Sequence, residues 1–145
     1  MTRPFFRPAL AVLACAGAIA FASPSMADMM KMKASLKGAN EVPPTQTSGS
    51  GSVDVTYDSA SKKLSWKLSY SGLSGPATAA HFHGPAEAGK NAGVAVPIPG
   101  AANSPVEGSA TLTDAQAADL LAGKLYVNIH TAANPGGEIR GQVTK

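Results

Sequence analysis

The feature that most constrains this chain is a strict two-residue alternation of apolar and polar side chains in its middle. Val53, Val55 and Tyr57 alternate with Ser52, Asp54 and Thr56; Leu64, Trp66, Leu68 and Tyr70 alternate with Ser65, Lys67 and Ser69. A period of two places each apolar set on one face of an extended strand, so both segments read as half-buried strands. Asp58-Ser59-Ala60-Ser61 between them is turn-forming, which predicts an antiparallel hairpin. Trp66 lies on the apolar face of the longer strand and is expected to be buried between sheets.

The C-terminal part repeats the pattern. Leu125, Val127 and Ile129 point one way and Tyr126, Asn128 and His130 the other. Asn134-Pro135-Gly136-Gly137 then reverses the chain, and Glu138–Val143 returns as a partner strand. Gly136-Gly137 reads as a turn needing positive φ, and Gly141 as a tight or bulged strand position. A single helix interrupts the strands. Thr113 caps it and Gln116 reaches back, Ala117, Ala118, Leu120 and Leu121 form a short apolar stripe, and Gly123 ends it. Residues 43–49 and 97–103 are Pro-, Gly- and Thr- or Asn-rich loops. The expected fold class is all-β: an antiparallel Greek-key-like β-sandwich with one short helix before the C-terminal hairpin.

The N-terminus has a different composition. Arg3 and Arg7 precede an uncharged apolar run from Ala9 to Ala22, and Ser25 and Ala27 supply small residues after Pro24. These are the parts of a signal peptide, with cleavage expected after Ala27. The apolar run is shorter than the ~20 residues that span a bilayer, and no second such run follows, so no membrane span is expected. Cys15 raises an alternative, a lipoprotein start, but the bulky Leu13 fits that cleavage poorly. On this reading residues 1–27 are the signal peptide, 28–33 a loose Met-rich leader, and 34–145 the domain, periplasmic or secreted. The domain then has no cysteine, which rules out disulfides and thiol chemistry. Without Arg3 and Arg7 the twelve Lys and Arg fall to ten, against nine Asp and Glu. They are interspersed, so nucleic-acid binding has no electrostatic footprint.

Two segments carry a family resemblance: Ala80-His81-Phe82-His83-Gly84-Pro85-Ala86, and Leu125–Thr131 followed by Asn134–Gln142. Together with Gly38-Ala39-Asn40-Glu41-Val42-Pro43-Pro44 and Thr111-Leu112-Thr113, they resemble the CHRD domain, first recognised in the extracellular regulator chordin and widespread in secreted bacterial proteins. The resemblance covers roughly Ala34 to Val143. It implies an extracellular or periplasmic setting and a β-sandwich, and says little about activity. Some members are remotely similar to the copper–zinc superoxide dismutase sandwich, which also carries His-x-His on a strand.

All three histidines, His81, His83 and His130, fall in the two signature segments. His81 and His83 leave the same strand face about 6.6 Å apart along it, close enough to converge on one ion. His130 can add a third nitrogen. Neutral imidazoles suit Cu(II), Zn(II) or Ni(II), with copper bound most strongly. Met29, Met30 and Met32 are soft donors that could serve as auxiliary copper ligands. Asn128, Glu138 and Arg140 form a structural or recognition motif, in which Glu138 and Arg140 share a face and pair with each other or with Asn128.

The function expected is a non-catalytic extracytoplasmic binding domain with a metal ion, copper first, as partner and cofactor. The alternative is a protein-interaction module whose histidines are architectural and whose partner is an extracytoplasmic protein. An enzyme is not expected. A dismutase-like site needs four copper-binding histidines and a zinc site, and no Gly-x-Ser-x-Gly elbow is present.

Overall fold

The computed structural model describes residues 28–145. The signal peptide, its cleavage after Ala27 and the alternative start at Cys15 lie outside the described residues. Eight strands follow one another: β1 (Met29–Lys37), β2 (Ser50–Asp58), β3 (Lys63–Ser71), β4 (Ala77–His83), β5 (Val94–Pro97), β6 (Val106–Thr111), β7 (Tyr126–Thr131) and β8 (Ile139–Gln142). One helix, α1 (Asp114–Leu121), precedes the β7–β8 hairpin. All pairings between strands are antiparallel, in the order β5-β4-β7-β8-β1-β2-β3-β6.

This is the all-β sandwich that the alternation predicts, and the central hairpin is antiparallel as expected. Val55 faces Trp66 and Val53 faces Leu68 across β2 and β3, so the apolar sets share one face. The sheet folds over until its halves meet: Trp66 from β3 touches Phe82 from β4, with ring centroids 5.4 Å apart in an edge-on contact. Trp66 is 5% exposed. The fold is joined at β8–β1, where the backbones come so close that a Cβ on Gly141 would lie 2.4 Å from the Ser35 carbonyl oxygen. That close approach is why Gly141 stands in a strand otherwise built of larger residues.

The helix has the capping box read from Thr113 and Gln116, and Gly123 leaves it with a φ of +71°. Its buried face is Ala117 and Leu120, whereas Ala118 and Leu121 are exposed. The stripe is therefore narrower than the sequence predicts. Gln116 also donates from Nε2 to the Ala95 carbonyl at 2.8 Å, tying the helix to edge strand β5.

One expectation is corrected. Residues 28–33 are not a loose leader: Met29 to Lys33 form the first half of β1, paired with β2 from Met29↔Asp58 onward. The segment reads as polar and thioether-rich by composition, but Met30, Met32, Ala34 and Leu36 alternate with Lys31, Lys33, Ser35 and Lys37. Methionine acts here as a flexible hydrophobe. Met32 is a core residue, Met30 packs against the core, and Met29 is exposed.

β7 and β8 are covered on both faces. The hydrophobic core lies under their inner face; loops lie over the outer one. Arg140 donates to Asn91 Oδ1 at 2.9 Å and to the Lys90 carbonyl, and Asn91 donates to the Val42 carbonyl at 3.0 Å. Gln142 donates to the Ala86 and Gly123 carbonyls at 2.9 and 2.8 Å. This polar layer between sheet and loops holds the candidate site.

Candidate metal centre

Strand register brings the histidines together. His81 and His83 alternate with Phe82 on β4; since Phe82 enters the core, both imidazoles leave on the outer face. Asn128 on β7 lies directly opposite His81, and His130 is two residues further along β7 on the same face. The three rings stand with centroids 5.0–6.0 Å apart. One ring nitrogen from each lies within 4.8 Å of the others. Nitrogens sharing one ion at about 2.0–2.1 Å in trigonal or tetrahedral placement are roughly 3.4–3.6 Å apart, so side-chain movements of about 1 Å close the set.

The surroundings decide where the protons are. His83 Nδ1 lies 3.0 Å from the Ala92 carbonyl oxygen and His130 Nδ1 lies 2.9 Å from that of Pro135. A carbonyl only accepts, so each Nδ1 carries its hydrogen and each neutral ring leaves Nε2 bare. His130 Nε2 is 3.1 Å from His81 Nδ1, and His83 Nε2 is buried with no partner. Burial holds His81 and His83 below the usual histidine range; for His81 the neighbouring imidazoles add to this. His83 is also stacked on Tyr126, with centroids 5.0 Å apart and planes 5° from parallel, and the Arg140 guanidinium lies 3.4 Å from the centre of that same tyrosine ring. His81 Nδ1 therefore donates to the bare His130 Nε2, while His83, packed on Tyr126, keeps a bare Nε2; an ion bound here would replace the His81–His130 hydrogen bond.

The other residues singled out from the sequence behave differently. Met30 and Met32 face the inside of the sandwich. Met29 is outside, but eight residues from Lys37, the β1 residue level with Arg140, or about 26 Å along the strand. The methionines are not brought to the histidines. Asn128 is brought to them, and Arg140 is its cross-strand partner. Glu138 and Arg140 do not pair with each other, because Arg140 is drawn to the 90–91 loop and Glu138 to another network. The Glu138 carboxylate is fully buried and accepts five hydrogen bonds of 2.5–3.2 Å, from the Thr47, Ser74 and Thr131 hydroxyls, the Ser74 N–H and the Asn134 amide. Burial alone would raise its pKa; the donors, led by Ser74, Thr131 and Thr47, outweigh it and hold it at about 2.

Sequence reasoning passed over Glu41 and Tyr126 as site residues. Glu41 is 5% exposed, enters no ion pair within 4.0 Å among the described residues, and has one carboxylate oxygen, Oε1, without a partner. Its place in Gly38–Pro44, one of the segments carrying the resemblance, is the only signal that could have marked it.

Fold and centre define an antiparallel β-sandwich with three clustered imidazoles on a loop-covered outer face. The CHRD domain family model matches residues 32–143, and the chain belongs to the CHRD domain family. No curated protein and no solved structure matches it at a significant level. No helix among the described residues is long and apolar enough to cross a membrane.

Proposed function

We propose that this protein is a non-catalytic binding domain, working in the periplasm or outside the cell, that holds one transition-metal ion through His81, His83 and His130. The observation that carries this reading is the pair of backbone carbonyls. Ala92 and Pro135 fix the Nδ1–H tautomers of His83 and His130, so each ring turns a lone-pair Nε2 to the cluster, that of His130 exchanging a hydrogen bond from His81 for the ion. His130 uses both ring nitrogens on the protein, but His83 Nε2 is buried without a hydrogen-bond partner, which an architectural role leaves unexplained. Copper is the first choice of ion, since three imidazoles rank Cu(II) above Ni(II) and Zn(II).

The test is a Cu(II) titration of chelator-stripped protein, followed by calorimetry and electron paramagnetic resonance. One ion per chain is expected, with nitrogen hyperfine structure, and His83→Gln or His130→Gln should lower affinity at least tenfold. Binding that is weaker than about 100 μM, or indifferent to all three histidine substitutions, would favour the architectural reading.

A further inference from the structure

Four buried side-chain polar atoms lack a partner among the described residues, and three of them form one cluster: His83 Nε2, Asn128 Oδ1 and Glu41 Oε1. Buried polar groups are almost always satisfied, so His83 Nε2 and Asn128 Oδ1 together point to something that the protein binds there, while Glu41 Oε1 sits beside the Asn128 amide nitrogen. Asn128 stands at the middle of the cluster. It is opposite His81, two residues before His130 and diagonal to His83, and it is 2% exposed.

The orientation of the Asn128 amide is set from behind. Nδ2 donates to the Gly136 carbonyl at 3.3 Å. Both Nδ2 and Glu41 Oε1 would lie 2.4 Å from a Cβ built on Gly137, a residue whose φ of +128° also calls for glycine. The amide nitrogen therefore faces the turn and the carboxylate, and Oδ1 is turned away from them, on the face where His83 is the diagonal neighbour. His83 has already spent its one hydrogen on Ala92. A bare nitrogen and a bare oxygen are thus buried on diagonal neighbours of one face, an arrangement that a cation relieves.

The charges around it agree. Arg140, the cross-strand partner of Asn128, brings a positive charge beside the cluster. Glu41 is the nearby carboxylate that can offset this. It is buried and enters no ion pair within 4.0 Å among the described residues. Its negative charge is under-compensated in the protein alone.

We infer that Asn128 Oδ1 is a fourth contact to the ion at the three-histidine centre, and that Glu41, behind the amide, makes the set selective for a divalent cation over Cu(I). This rests on the histidine centre proposed above. An oxygen donor backed by a carboxylate hardens the site, and the soft methionines that would favour Cu(I) lie elsewhere.

The test compares Cu(II), Zn(II) and Cu(I) affinities of the full chain, Cu(I) by competition with a bicinchoninate chelator under reducing conditions. Asn128→Ala and Glu41→Gln should each lose at least tenfold in Cu(II) and Zn(II) affinity while holding Cu(I) as the wild type does. The Cu(II) resonance of Asn128→Ala should also shift as an oxygen contact is lost. Asn128→Asp keeps the shape and adds charge, so Zn(II) should raise its melting temperature by more than it raises the wild type's. Equal losses for Cu(I) and the divalent ions would show that the His83 ring had merely been displaced, and would overturn the inference. So would wild-type Cu(II) affinity in either Asn128→Ala or Glu41→Gln. A wild type that binds no Cu(II) at all would instead remove the histidine centre itself, so the two failures are distinguishable.

Discussion

Replacing Glu138 by Gln tests how the turn that carries Pro135 is held. The carboxylate collects five donors from three separate stretches of chain: Thr47, Ser74, and the Thr131–Asn134 turn. Gln keeps the shape but turns one acceptor oxygen into a donor. Its best placement keeps an oxygen on the fixed Ser74 N–H, leaving an NH₂ against the hydroxyls of Ser74 and Thr131 and against the Asn134 NH₂, whose bond is lost. Those hydroxyls can rotate to accept, so the loss is of charge and not of every bond. A carboxyl displaced from 4.5 to about 2 corresponds to roughly 3 kcal/mol at ~1.4 kcal/mol per pH unit. Ser74 is exposed and Thr47 and Asn134 are half-buried, so solvent screening brings the expected cost of Glu138→Gln to about 2 kcal/mol at pH 7. The sign of the pH dependence follows from a lowered pKa. The stabilisation is full above the unfolded value of 4.5 and is lost as pH falls towards 2. Urea unfolding of wild type and variant at pH 7 and pH 2.5 measures this, the difference between them isolating Glu138 from other carboxylates. Since Asn134 and Pro135 lie in the same turn, Cu(II) affinity should also fall, through a less well-aimed His130. A difference below about 0.5 kcal/mol at pH 7, or one that does not shrink in acid, would refute the reasoning.

Three further outcomes are expected. Cu(II) binding should hold through pH 6.5 and weaken at lower pH, because burial lowers the pKa of His81 and His83 and delays proton competition; calorimetry from pH 7.5 to 5 follows it, and weakening that begins above pH 7 would contradict it. Gly141→Ala should destabilise the domain by about 1–3 kcal/mol, since the new methyl meets the Ser35 carbonyl at the β8–β1 seam; a melting temperature equal to wild type would show that the seam can spread freely. Trp66→Ala should cost about 3–5 kcal/mol by opening a cavity against Phe82, and denaturant unfolding with an unchanged midpoint would reject the packing.

The sequence alone determined the β2–β3 and β7–β8 hairpins, the capped helix, the shared face of His81 and His83 and the placement of His130 opposite the apolar face of β7. Each follows from period-two alternation or a local hydrogen-bonding pattern, and such patterns are written in neighbouring residues. Where composition was read in place of periodicity, the reading failed: Met29–Lys33 looked like a leader and is half a strand. Tertiary structure alone decided the centre. Whether β4 and β7 adjoin is a matter of topology across 49 residues between His81 and His130, which no local signal encodes. The carbonyls of Ala92 and Pro135 that fix the tautomers are backbone atoms, and every residue has one. Glu41, far from the histidines in sequence, became part of their surroundings only because the loops fold over the outer face of β7 and β8. For the same reason Glu138 and Arg140, two residues apart on one strand, are drawn in different directions. Neighbours along the chain share a face, but which loops cover that face is set by the packing of the whole domain.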